Sequence, residues 1–309
     1  MTLPLLDSAV EAFALHRKGH QVASLVSDLV FYIEPTFDQV ASDVMAVYDA
    51  FMKRHGDDVS WYGTETMSML KPFGAKARTS VETWFSPDAA PRVQYGLHLH
   101  SGESAEDYQA PALDLFSTSG SHRINYVRWV VPPNGVVDVE RADAFVDLAV
   151  QLANVLPVQS GHGGFAVYHS QRSASAQNRA GGHAAPLLMR HRGVDIGIPM
   201  DTTLQVRDAI KGVNWLTVLG DGLCDRLGGR ESVKGALASP VRVYDLDAGL
   251  LLRTGDLPAL GDTNRDVPLG EYEAVNRVVR SLRLSNHRQI PGMSMDQTEE
   301  WFARFDREQ

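Results

Sequence analysis

Cysteine is almost absent from this chain of 309 residues. Cys224 stands alone, so no disulfide can close within it. That fits a reducing compartment, and the cytoplasm is the expected location. Long apolar runs are missing as well. LVFYIEP and AGLLLRTG stop after a few residues, far short of the roughly 20 that span a bilayer, so no membrane span is expected. The opening segment MTLPLLDSAVEAFALHRKGH has no basic leader, and Asp7 and Glu11 interrupt its apolar part. It reads as mature protein rather than a secretory signal.

Positive charge is also in short supply. Lys and Arg number 29 against 38 Asp and Glu, for a formal net charge of −9. The summed field repels a nucleic-acid backbone and attracts basic surfaces, so direct nucleic-acid binding is not expected and a basic partner is. Complete catalytic motifs are lacking. There is no G-x-S-x-G elbow, no HExxH and no cysteine pair. Gly161-His162-Gly163-Gly164 is followed by no Lys-Ser/Thr and reads as a tight turn between a helix and a strand, the wrong order for a phosphate loop. Cys224, beside Asp225 on an apolar stripe, reads as a packing residue. No cofactor is expected.

What is present is ordinary globular composition, 44% hydrophobic and 22% charged, in a chain long enough for one large domain or two halves. Gln21 to Glu34 reads as a strand closed by Pro35. Phe37, Val40, Val44, Val47, Tyr48 and Phe51 recur at helical spacing, as do Phe145, Leu148, Ala149, Leu152 and Val155 within 142–156. Trp61 to Leu70 and Trp215 to Leu227 read as further helices, the latter stopped by Gly228-Gly229. Segments 92–100, 125–131, 163–170, 241–244 and 250–253 read as strands. Helices are expected over 269–282 and 296–305, with Ser294 and Gln297 as a capping box for the last. The small, polar run 172–186 reads as a mobile loop. The fold class is α+β, mainly antiparallel sheet packed with amphipathic helices.

Trp61 to Gly74 and Trp215 to Gly228 are equal intervals, and RVQYGLHLHSG and RVYDLDAGLLLRTG follow them. Two readings stand side by side. One is a single domain over 1–309. The other is a pseudo-repeat of halves 20–170 and 190–309 joined by the loop.

Two kinds of site are candidates. His98 and His100, two apart on a strand, could share a metal with Glu103 or Asp107 and support a metal-assisted hydrolase; two surface histidines are the plainer reading. The other is a partner-binding surface of acidic, aromatic and polar groups: Asp57, Asp58, Tyr62, Glu103, Glu106 and Asp107, with Asp262, Asn264 and Arg265 from the polar run Gly261 to Asp266. Glu299-Glu300 reads as solvated surface, Trp61 as core, and Trp84 as a further aromatic near charge.

The runs Gly212 to Asp221 (GVNWLTVLGD), Leu227-Gly228-Gly229, Gly261 to Arg265 (GDTNR) and Thr298 to Asp306 (TEEWFARFD) resemble the type VI secretion immunity family, formerly a domain-of-unknown-function family. Trp61-Tyr62-Gly63 and the Tyr126 to Pro133 strand extend the resemblance toward the N-terminus. It implies a non-enzymatic protein, monomer or homodimer, that binds a cognate antibacterial effector, among whose kinds are nucleases, and protects the producing cell. It carries over no catalytic residues.

Overall fold

The computed structural model of the protein describes residues 3–86, 88–119, 124–170, 173–197 and 199–306. The chain runs α1 (Leu3–Phe13), β1 (Leu15–Arg17), β2 (His20–Ile33), α2 (Ala41–His55), β3 (Trp61–Thr64), β4 (Lys71–Pro72), α3 (Ala75–Trp84), β5 (Gln94–His100), β6 (Ala112–Thr118) and β7 (Asn125–Val131). It continues α4 (Val139–Val155), β8 (Val158–His169), α5 (Ala174–Arg190), α6 (Pro199–Thr202), β9 (Leu216–Gly220), α7 (Asp221–Arg226), α8 (Arg230–Ala236), β10 (Arg242–Leu246), β11 (Gly249–Arg253), α9 (Gly270–Val279) and α10 (Met295–Phe302).

The strands form one 11-stranded sheet in the order β10-β11-β9-β8-β2-β7-β6-β5-β3-β4, with β1 paired to β2. The pairings between these strands are antiparallel. The α+β class therefore holds. Strand β2 is the axis, and every residue from Ala23 to Ile33 is buried, as a strand covered on both faces and both edges must be. One face of the sheet is apolar. Leu29 lies opposite Trp129, and Trp129 meets Phe51 of α2 edge-on at 5.1 Å between ring centres. Val44, Val47, Tyr48 and Phe51 are the buried stripe of α2, and Phe145, Val146, Leu148, Ala149 and Leu152 that of the neighbouring α4. Burial of side chains this size contributes roughly 1.5–3 kcal/mol each, which makes this face the main source of stability.

Several expectations need correction. Residues 173–186 lie mostly in a helix, α5, rather than a loop; Arg172 is outside the described residues. Ser173 caps it by accepting the Ala176 N–H, and the small residues Ala180, Gly181, Ala184 and Ala185 are its buried stripe. A Cβ on Gly181 would meet the Pro291 carbonyl oxygen at 1.6 Å, so small size here serves close packing, not freedom. Trp61 to Thr64 is a strand, and Leu216 to Gly220 is a strand before the short helix α7. The apolar run of β9 is buried on both faces, and such a run carries no period that separates strand from helix. Gly228 and Gly229 do end α7, at φ +90° and +93°. Gly161 to Gly164 lies inside β8 rather than in a turn. A Cβ on Gly163 would strike Leu29 Cδ2 at 2.6 Å, so this glycine leaves room for its neighbour's side chain.

The two tryptophan segments share one local detail. Trp61 Nε1 donates to the Gly102 carbonyl at 3.0 Å and Trp215 Nε1 to that of Gly255 at 3.2 Å. In each, the acceptor glycine follows the strand paired with the one at the tryptophan. Ser294 and Gln297 form the expected capping box on α10. No described helix is long and apolar enough to cross a membrane.

Candidate functional site

The second face of the sheet is built differently. Residues directly opposite in antiparallel strands share a face, and the register draws one row across nine strands. It runs Gly63, His98, Asp114, Arg128, Val30, His162, Thr217, Leu252 and Val243. Four polar, titratable groups thus stand in line at strand spacings of about 4.8 Å. Asp28, two residues before Val30, projects from the same face.

Asp28 and Arg128 are 1% and 2% exposed, and Arg128 Nε donates to Asp28 Oδ2 at 2.8 Å. The guanidinium lies over the Tyr168 ring at 5.0 Å. Burial would lower the Arg128 pKa, but Asp28 and then Asp114 outweigh it and hold it above its ordinary value. Burial raises the Asp28 carboxyl above the usual range, and Arg128 and His162 offset this only in part. Asp195 backs the other half of the row. Its backbone pairs with β8, its N–H donating to Phe165 O at 2.8 Å, so its carboxylate reaches His162 Nε2 at 3.0 Å. Lys211 Nζ lies 2.8 Å from both Asp195 oxygens and donates to Ile196 O at 2.6 Å. Burial alone would raise Asp195, but Lys211 and then His162 hold it well below the carboxylate range.

The immunity-like motif runs close over this array. Trp301 covers Lys211, with Nζ 5.6 Å from its ring centre, and Arg304 stacks on Trp301 at 3.7 Å. Arg304 Nε donates to Arg192 O at 2.9 Å and Nη2 to Val213 O at 3.1 Å, which binds the C-terminal run to the one beginning at Gly212. The motif's role here is to clamp elements together.

At its β5 end the row opens into a cavity of about 200 Å³ lined by His98, Asp114, Tyr108, Tyr126, Glu65, Gln94, Met67 and Met200, among others. Asp114 is 4% exposed. Its Oδ1 bonds His98 Nδ1, while Oδ2 and His98 Nε2 are buried atoms without a hydrogen-bond partner. Tyr108 stacks on His98 with ring centres 5.4 Å apart and on His100 at 5.8 Å. Glu65 at the mouth accepts from the Gly96 N–H at 3.1 Å and pairs with Arg92. A larger groove, about 650 Å³, lies between α8 and α9 with Val233, Leu237, Ala274 and Val278 on its walls. Ser232, Glu271 and Arg277 also line it, none of them buried.

The residues proposed from sequence fall into three sets. Asp57, Asp58, Glu103 and Glu106 are exposed. Ser60 N–H bonds His100 O at 3.1 Å, so the segment after α2 is drawn to the end of β5 beside Glu103. Tyr62 is half-buried against Phe73. Asp107 is internal: its oxygens accept from the Gln21 N–H at 2.8 Å and the Ser104 N–H at 2.7 Å. Asp262 is internal too, gripped by Arg190 at 2.9 and 2.6 Å and capping Asn264 N–H at 3.0 Å, while Asn264 and Arg265 are exposed. Asp107 and Asp262 thus serve the fold. Cys224 is buried, its thiol pushed up to about 11 by burial and then Asp221.

The histidine pair is not set as metal ligands. His98 Nδ1 is committed to Asp114, His100 Nδ1 accepts the Gly102 N–H at 3.0 Å, and Glu103 is exposed. Among the described residues no group of three or more His, Cys, Asp or Glu is placed to hold a metal ion.

Sequence reasoning missed Asp28, Asp114, Arg128 and His162. The signal was one charged or imidazole side chain in each of four apolar stretches of strand, SLVSDLVFYI, ALDLFST, NYVRWVV and SGHGGFAVY.

A family model described as TsiV, type VI immunity for VRR-NUC, matches residues 43–305. Among solved structures, the Pseudomonas aeruginosa T6SS protein PA0821 matches with a TM-score of 0.83 over 98% of this chain and 90% of its own, at 17% identity. At that identity the likeness concerns the fold. No curated protein matches the chain.

Proposed function

The chain belongs to the TsiV family, type VI immunity for VRR-NUC, and from that premise we propose that it neutralises a cognate VRR-NUC-type effector by covering the nuclease's active site or nucleic-acid groove, without turnover of its own. The family match over residues 43–305 carries this reading. Charge supports it physically. A nuclease must hold phosphates with a basic groove, and a chain of net charge −9 is drawn to such a surface. Asp57, Asp58, Glu103 and Glu106, exposed around one end of the sheet, are the proposed steering contacts, with Tyr62 behind them and Asn264 and Arg265 as a separate, secondary patch.

Neutralisation in the producing cell's cytoplasm requires the inhibitor to outcompete DNA. That calls for an interface of roughly 1,200–2,000 Å² and a Kd near 1 nM, about −12 kcal/mol. The test is titration of the purified nuclease with this chain during DNA cleavage. A sharp stop at one inhibitor per nuclease is expected. Inhibition by far less than one equivalent means enzymatic inactivation, and undiminished cleavage at excess means no immunity function.

A further inference from the structure

We infer that the cavity at the β5 end of the polar row receives one lysine or arginine side chain of the partner nuclease, a contact that rests on the immunity reading above. Its walls are a donor-seeking set. His98 Nδ1 is turned to Asp114, so in the Nδ1–H tautomer Nε2 is an acceptor, and Nε2 has no partner. Asp114 Oδ2 is a second buried acceptor without a partner, on a side chain 4% exposed. An unsatisfied buried acceptor costs about 1–3 kcal/mol in the free protein, a cost that a bound donor removes.

Charge points the same way. Asp28 and Asp114 flank the single guanidinium of Arg128, which already donates to Asp28. An incoming cation supplies the charge this end lacks. The shape suits a long amphipathic side chain: Tyr108 and Tyr126 are among its walls, and Met67 and Met200 give a pliable lining for an alkyl stem. Met69, 71% exposed next to this lining segment, adds apolar surface outside. A recessed anchor site is the form in which interfaces concentrate affinity. A nuclease built to hold phosphates carries lysine and arginine side chains of this reach in its groove.

The experiment is calorimetric titration of the nuclease against the full chain and two variants. Asp114→Asn removes the buried charge. Gln94→Lys, at an exposed position lining the cavity, sets a competing ammonium at its mouth without touching the core. Each is expected to weaken binding about 30-fold or more, ~2 kcal/mol. One lysine or arginine to methionine change in the nuclease groove should cost as much against the wild-type chain and nothing further against Asp114→Asn. The inference is overturned if Gln94→Lys binds within about threefold of wild type, or if every groove substitution costs the same against both chains. A wild-type chain that forms no complex overturns the immunity reading itself, a distinct result.

Discussion

Arg128→Met is the sharpest test of the polar row. The guanidinium and the Asp28 carboxylate are 2% and 1% exposed and 2.8 Å apart, and Asp114 stands directly opposite Arg128 in the sheet. Methionine fills most of the volume but leaves two buried carboxyls with no cation between them. Breaking a buried pair on one side costs roughly 3–5 kcal/mol, and loss of the Tyr168 contact adds up to about 1. A destabilisation of about 4–5 kcal/mol, spread over an unfolding entropy of about 2 cal/mol/K per residue, lowers the melting temperature by roughly 6–8 °C.

The pH dependence gives the sign. Asp28 already titrates above its ordinary 3.8, so the folded state holds its proton where the unfolded chain has released it. Stability therefore falls as pH rises from 3.8 toward the folded value. Without Arg128 that folded value climbs further, and the variant's deficit should be less than half as large at about pH 4.5 as at about pH 7.5. Adding Asp28→Asn should recover more than half of the loss at neutral pH. Thermal and urea unfolding of the three proteins at both pH values is the assay. A deficit under about 1 kcal/mol, or one that does not change with pH, refutes the reasoning.

Lys211→Met should likewise show a deficit that shrinks in acid, here from a carboxylate held down rather than pushed up. Asp195 is held below the carboxylate range, so its contribution is present above 3.8 and drains away as pH falls further; the wild-type chain loses stability there, and the variant's curve should be flatter in acid unfolding. Asp262→Ala removes the Arg190 grip and the cap on Asn264, and should cost about 1–2 kcal/mol in thermal unfolding while nuclease affinity stays within about threefold. Charge reversal at Asp58 and Glu103 should do the reverse, leaving stability within about 0.5 kcal/mol but slowing association measurably at low salt; an unchanged on-rate places the contact surface elsewhere.

The helices α2, α4, α9 and α10 were legible because each sets one apolar stripe against solvent, and the cap on α10 is written in Ser294 and Gln297. α5 was not, since its glycine and alanine content reads as a loop until Pro291 is seen against Gly181. The sites divide in the same way. Asp107 and Asp262 look like any surface carboxylate, because their partners Gln21 and Arg190 lie 86 and 72 residues away in sequence. The polar row could be suspected strand by strand, from a lone Asp28 or Arg128 in an apolar run. Only register shows that His98, Asp114, Arg128 and His162 align.

The central claim is that this chain is a stoichiometric protein inhibitor of a VRR-NUC-type nuclease, and calorimetric titration of the two purified proteins tests it most directly. A one-to-one complex with a Kd near 1 nM, weakening as salt is raised, is the predicted result. Absence of binding heat, with no complex on co-elution and DNA cleavage continuing at full rate, would contradict it.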